Sequence, residues 1–325
     1  MFGSISAAEI DTGALVAHLA AHYGVDAVDL HRLDSGVMRV ERNDGPDWVA
    51  RVFPPDQSIE AVAGDAATLA WLAEHDYPAE RAATDDPVSM LGSSPVLVTE
   101  FVHPVPRELR RPTVKEAGGL RELGSMLGRL HALPLDAGAP AQSGGAWHHA
   151  ARGLPTAELD AAREWVSAAL ASPSAADRAS LAVVLGELDQ ADGGDGLPLA
   201  FTHPDFVLAN VVATAAPGMV VVDWAGAGRG PRLWSLAFLL WVEGGKDLRR
   251  IDLLAAGYRQ RLELEPDEVD RIAGMVRARH LVFVAWNLAA GRIGPVEAAE
   301  LVRESRERGE AIAERSRWAF TAARP

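Results

Sequence analysis

Apolar positions recur at helical spacing from Ala7 to Tyr23, and Gly24 supplies a stop. Alternation then takes over. Gly36 to Phe53 predicts a hairpin, with Val37-Met38-Arg39-Val40 as one strand, Asn43-Asp44-Gly45 as the turn and Trp48 to Phe53 as the second strand. A helix is expected over about Ile59 to His75. A strand, Pro95 to Val102, then leads into His103-Pro104-Val105-Pro106. Beyond that Pro-punctuated segment the period is mostly helical, over Thr113 to Leu133, Thr156 to Ala171 and Ala175 to Gln190. Gly193-Gly194-Asp195-Gly196 reads as a loop. Two short strands, Asn210 to Ala213 and Met219 to Asp223, flank Ala216-Pro217-Gly218, and helices run from about Leu233 to the end. The pattern predicts an α+β chain with a small β-rich part, residues 1–102, and a larger, mostly helical part, residues 103–325.

Composition narrows the function classes. A chain of 325 residues with 48% apolar residues can bury the cores of two lobes. It has no cysteine, which excludes disulfides, thiolate metal sites and a cysteine nucleophile. The N-terminal MFGSISAAEIDTGAL lacks the basic and continuous apolar regions of a signal peptide, and no apolar run approaches a bilayer span. A cytoplasmic protein is therefore expected. A net charge of −14 argues against nucleic-acid binding and suits a cationic small molecule, although it also serves solubility. Only Lys115 and Lys246 are lysines. Any cation that grips an anion in the first hundred residues is therefore arginine.

The candidate chemistry is concentrated in His203-Pro204-Asp205-Phe206-Val207-Leu208-Ala209-Asn210, followed by Val220-Val221-Val222-Asp223-Trp224. Phosphoryl transfer needs a carboxylate that orients the attacking hydroxyl, and an amide and a second carboxylate that hold Mg²⁺ on the nucleotide phosphates. The spacing H-x-D-x-x-x-x-N is that of a kinase catalytic loop. The plain alternative is that the Asp and Asn merely cap turns.

With these segments in view, the chain resembles the aminoglycoside phosphotransferase and choline kinase-like family, small-molecule kinases with a bilobal protein-kinase-like fold. The resemblance rests on Phe201 to Asn210, Val220 to Ala237, Leu123 to Leu133 and Val96 to Val102, and more loosely on Val276 to Leu288. It implies an ATP-dependent O-phosphotransferase, with GTP as the alternative donor and Mg²⁺ as cofactor. Asp205 becomes the catalytic carboxylate, with Asn210 and Asp223 as metal ligands. His203 becomes a support of the loop. Arg51 stands where relatives place Lys or Arg over the phosphates, and a surface arginine is the other reading. Asp65 matches the helix acid that pairs with this cation, with Glu60 as competitor. Ser35 and Gly36, in Asp34-Ser35-Gly36, take the place of the phosphate-covering loop. Glu100 and Val102 fall in the hinge whose backbone reads the base. The partner implied is a small molecule bearing a hydroxyl: a cationic amino sugar such as an aminoglycoside, or a sugar, a choline-like amine or a nucleoside antibiotic. Oligomeric state is left open.

Departures and absences matter too. Ser235 replaces a second Asp that braces the loops in relatives, so altered bracing is expected. Trp224-Ala225-Gly226 replaces the Phe-Gly of protein kinases. No G-x-x-x-x-G-K-[ST] exists, so a P-loop kinase is excluded, and no G-x-S-x-G supports a hydrolase. Gly226-Ala227-Gly228-Arg229-Gly230 is a weak echo of a dinucleotide fingerprint. The adjacent pair His148-His149 diverges on a helix or strand and makes a poor shared metal site. Trp147, Trp241 and Trp286 are candidates for the pocket or for the core. Two rivals remain: a silent binding module with the same fold, which would have shed Asp205, Asn210 or Asp223, and a protein kinase, which would carry Asp-Phe-Gly and Ala-Pro-Glu.

Overall fold

A helix, α1 (Thr12–Tyr23), is closed by Asp11 at its N-cap and by Gly24, which takes the left-handed conformation at φ 68°. It packs on a five-stranded antiparallel sheet of order β1-β2-β3-β5-β4, built from β1 (Ala27–Asp34), β2 (Val37–Arg42), β3 (Trp48–Val52), β4 (Val88–Leu91) and β5 (Ser94–Glu100). The expected hairpin is β2–β3. Two strands were not anticipated. In β1 no residue is buried, so it shows no alternation, and β4 spans only four residues.

The period of two decides what each sheet face does. Met38 and Val40, Trp48 and Ala50, and Val96 and Val98 point to one side and form a core with Leu15, Leu19 and Val25. Val49 and Arg51 on β3, and Leu97 and Thr99 on β5, fall on the opposite parity. Helix α2 (Ile59–Glu74), capped by Ser58, buries Val62, Asp65, Leu69 and Leu72, a stripe of heptad spacing that carries one acid among its apolar positions.

This computed structural model describes residues 10–105, 117–135, 138–141, 155–170, 174–215 and 218–322. Ala7, the start of the helix expected at Thr113, Pro106, Lys115, Trp147, His148, His149 and Ala216-Pro217 lie outside those residues. The chain divides into two compact units. The first comprises Met1–Leu109 with Val211–Ala225, and the second Arg110–Asn210 with Gly226–Pro325. Relative to the division at residue 102, the segment Val211–Ala225 goes with the first unit. It holds β7 (Val211–Ala213) and β8 (Met219–Val221), an antiparallel pair. Val221 donates to the Pro78 carbonyl at 2.9 Å and accepts from the Glu80 N–H at 3.0 Å, a parallel bridge that fastens this segment to the chain after α2.

The second unit is mostly helical: α3 (Ala117–His131), α4 (Pro155–Ala169), α5 (Ala175–Asp189), α6 (Arg232–Gly244), α7 (Arg249–Tyr258), α8 (Pro266–Ala289) and α9 (Pro295–Thr321). Helices α3 and α7 cross so closely that a Cβ on Gly257 would lie 1.8 Å from the Arg121 carbonyl oxygen, so only glycine fits. Strands β6 (Leu199–Thr202) and β9 (Gly228–Pro231) pair antiparallel. The glycines of 226–230 therefore lead into and build a strand, not a phosphate-binding turn. Among the described residues no helix is long and apolar enough to cross a membrane.

Candidate functional site

In the first unit, strand parity turns Arg51 toward a small cavity of about 20 Å³ lined also by Asp65, Leu69, Glu80, Thr99 and Trp224. Arg51 Nη1 donates to Asp223 Oδ1 at 2.6 Å, and the two side chains stay 24% and 41% exposed. Burial alone would lower the Arg51 pKa. Asp223, Glu80 and then Asp65 outweigh it and hold the guanidinium above its ordinary value. Glu60 is exposed, so Asp65 is the α2 acid on the cavity side.

Asp223 sits in the left-handed region at φ 68°, a conformation that a non-glycine residue keeps only when neighbours fix it. Two neighbours do so. Its N–H donates to Glu80 Oε1 at 2.8 Å, and buried Trp224 donates its indole N–H to the Val221 carbonyl at 2.9 Å. Thr99 Oγ1 donates to the other Glu80 oxygen at 3.2 Å. Burial raises the Glu80 pKa, against the pull of Arg51 and the Asp223 N–H. Glu80 was not anticipated: it lies between α2 and β4, where no periodicity marks it.

Ser35 and Gly36 form the turn between β1 and β2. Gly36 has φ 70°, and a Cβ there would meet the Val52 carbonyl oxygen at 2.7 Å, so a side chain is excluded twice over. The Ser35 N–H is held by Asp34 Oδ1 at 2.7 Å. At the end of β5 the side chain of Glu100 is exposed. The N–H of Phe101 is taken by the Asp47 carbonyl, whereas that of Val102 has no partner among the described residues.

The second unit holds the His203–Asn210 loop. His203 is fully buried, and its Nδ1 accepts the Asp205 N–H at 3.0 Å, which makes it a support of the loop backbone. Asn210 closes the loop by donating its amide to Asp205 Oδ2 at 2.8 Å and to the Asp205 carbonyl at 2.9 Å. With the amide nitrogen committed there, the Asn210 side-chain oxygen is the atom left to meet a cation. Ser235, buried, donates to the His203 carbonyl at 2.9 Å. The brace expected of an aspartate is thus made by a hydroxyl.

A buried pair behind this loop was missed by the sequence reading. Arg279 on α8 donates to Glu158 on α4 at 2.5 Å and to the Pro204 carbonyl at 2.7 Å. Its guanidinium lies over Trp234 at 4.7 Å and Phe238 at 4.3 Å. Burial lowers the Arg279 pKa, opposed by Glu158 and Asp205, and burial raises that of Glu158, opposed by Arg279. Trp241 lies against His280 with ring centroids 4.1 Å apart and planes tilted by 36°, and Trp286 lies under Arg292 at 4.0 Å.

Among the described residues no three His, Asp or Glu side chains gather into a metal cage.

Residues 30–272, more than half of the chain, match the family model described as phosphotransferase enzyme family. The chain belongs to that family. It is accordingly a small-molecule phosphotransferase with a hydroxyl acceptor. No curated protein sequence matches it. Among solved structures it is similar to the amicoumacin kinase hAmiN in complex with AMP-PNP, Ca²⁺ and Ami, at 13% identity and a TM-score of 0.64 over 93% of each chain. It is similar to the spectinomycin phosphotransferase APH(9)-Ia with ADP and spectinomycin, at 13% identity and a TM-score of 0.58, over 95% of this chain and 100% of that one. A choline/ethanolamine kinase family protein from Mesorhizobium loti matches at 20% identity and a TM-score of 0.58, over 96% of this chain and 99% of that one. The α+β fold is therefore the kinase-like one.

Proposed function

We propose that this phosphotransferase moves the γ-phosphoryl of ATP, with GTP as the alternative donor, to a hydroxyl of a small cationic molecule. The observation that carries the reading is the Asp205–Asn210 loop. Asn210 fixes one Asp205 oxygen and so sets the direction of the carboxylate. That carboxylate accepts the hydrogen bond of the acceptor hydroxyl and aims its oxygen at the phosphorus, and it takes up the proton as the bond forms. His203, Ser235 and Arg279 keep the loop backbone in place through its N–H and carbonyl groups.

In the first unit, Arg51 is the phosphate grip, with a planar fork suited to two phosphate oxygens. The Val102 N–H is the hinge group for the base, and the Ser35-Gly36 turn covers the phosphates. Asp223 and the Asn210 oxygen are hard donors suited to Mg²⁺. When bound, that ion would neutralise charge developing on the phosphate oxygens. AMP-PNP with Ca²⁺ in the amicoumacin kinase and ADP in the spectinomycin phosphotransferase support a nucleotide donor. The net charge of −14 and the similarity to a choline/ethanolamine kinase family protein support an amine-bearing acceptor.

The test is ADP release from ATP across a panel of amino alcohols, choline, aminocyclitols and neutral polyols. The reading expects turnover confined to amine-bearing acceptors, and a loss of at least about a hundredfold in Asp205→Ala. Near-normal turnover in that variant would refute it, and turnover of neutral polyols alone would remove the cationic class.

A further inference from the structure

We infer that Glu80 is a positioning residue of the phosphate-binding cluster, the acid that holds both Arg51 and Asp223 in place, with Asp65 in a secondary role. The inference rests on the proposed nucleotide chemistry.

Two observations carry it. First, Glu80 is tied to the segment that ends in Asp223 twice over. Its N–H bonds the Val221 carbonyl as part of the bridge between Ala79 and Val221, and its Oε1 accepts the Asp223 N–H. Asp223 has a left-handed backbone, and the Glu80 carboxylate is the group that holds its amide. Second, Glu80 lines the same small cavity as Arg51, and its remaining oxygen is steadied by Thr99. Glu80 and Asp65 both help to hold the Arg51 charge in place against burial.

Side-chain length gives the reason. An aspartate on α2 is one methylene shorter than a glutamate, so more of the neutralisation of Arg51 falls to another acid. Glu80 enters from the chain after α2, on the side where Asp223 is anchored. One carboxylate thereby anchors the amide of Asp223 and lines the cavity that Arg51 faces.

The test compares Glu80→Gln, Glu80→Asp, Asp65→Asn and Arg51→Met in two measurements. Glu80→Gln keeps an acceptor for the Asp223 N–H, and removes the charge and the oxygen that accepts from Thr99. The first measurement is a urea-unfolding double-mutant cycle without nucleotide, which is expected to find Arg51 coupled more strongly to Glu80 than to Asp65. The second is steady-state turnover. Glu80→Gln is expected to raise the nucleotide KM and lower kcat, each about tenfold, with the acceptor KM unchanged. Asp65→Asn should change them less, and Glu80→Asp should recover part of the loss. A merely structural Glu80 would lower the unfolding midpoint and leave KM and kcat of the folded enzyme alone, which overturns the inference. Coupling of Arg51 to Asp65 as large as to Glu80 overturns it as well. A wild type that binds no nucleotide overturns the functional reading, and because the unfolding cycle needs no nucleotide, the two failures are separable.

Discussion

Two arginine–carboxylate pairs illustrate opposite uses of the same chemistry. Arg51 and Asp223 are partly exposed and Arg51 borders a cavity, whereas Arg279 and Glu158 are each 1% exposed. A half-exposed pair keeps much of its hydration, contributes little to stability and is free to exchange one anion for another. A fully buried pair has lost its water, and either member left alone is a buried charge without compensation. The first arrangement suits a grip that must accept phosphate. The second suits a brace that must not move, and its spare donor holds the Pro204 carbonyl beside Asp205.

The comparison breaks most visibly under truncation. Arg279→Met should destabilise the protein by about 3–5 kcal/mol in urea unfolding, because Glu158 is left buried and unpaired. Arg51→Met should cost less than Arg279→Met while impairing nucleotide-dependent turnover. Equal stability losses would mean that the pairs do not differ in the way burial implies.

Acid titration sharpens it next, since the second unit holds two buried neutral histidines. His131 on α3 is held down to about 3 by burial and by Arg232, and His280 on α8 to about 4 by burial and by Arg308. Below pH 6.5 the unfolded chain protonates these rings before the folded one does. Their contribution is therefore fully present above pH 6.5 and is lost as pH falls toward 4 and 3. At full titration each loss is on the order of 3–5 kcal/mol. His131→Gln should flatten the fall in urea-unfolding stability between pH 6.5 and 4. An unchanged slope would show that this ring is not neutral in the fold. The smallest effect is expected at Ser235. Replacement by Ala removes one buried donor from the His203 carbonyl and should cost about 1 kcal/mol, with a modest drop in kcat.

What the sequence made legible was local. Helix α2 was expected over Ile59 to His75 and runs Ile59–Glu74, because its heptad stripe and Ser58 cap lie within one segment. The His203–Asn210 loop was legible because the hydrogen bonds within it, between His203, Asp205 and Asn210, join residues five apart or fewer. Strand β1 was invisible because an exposed edge strand needs no alternation. Glu80 and Arg279 were missed for another reason. Their partners lie 143 and 121 residues away, and nothing in a local window distinguishes a carboxylate or guanidinium that will be buried. Parity placed Arg51 on a strand, but which acid would meet it depended on a crossing between α2, the chain behind it and the end of β8.

The central claim is that this chain binds a nucleotide through its phosphates and a divalent cation. Isothermal titration of the purified protein with ATP and GTP, each with and without Mg²⁺, tests it most directly. Binding that requires Mg²⁺ and disappears in Asp223→Ala is the predicted result. Absence of binding by either nucleotide, or binding indifferent to both Mg²⁺ and Asp223, would contradict the account.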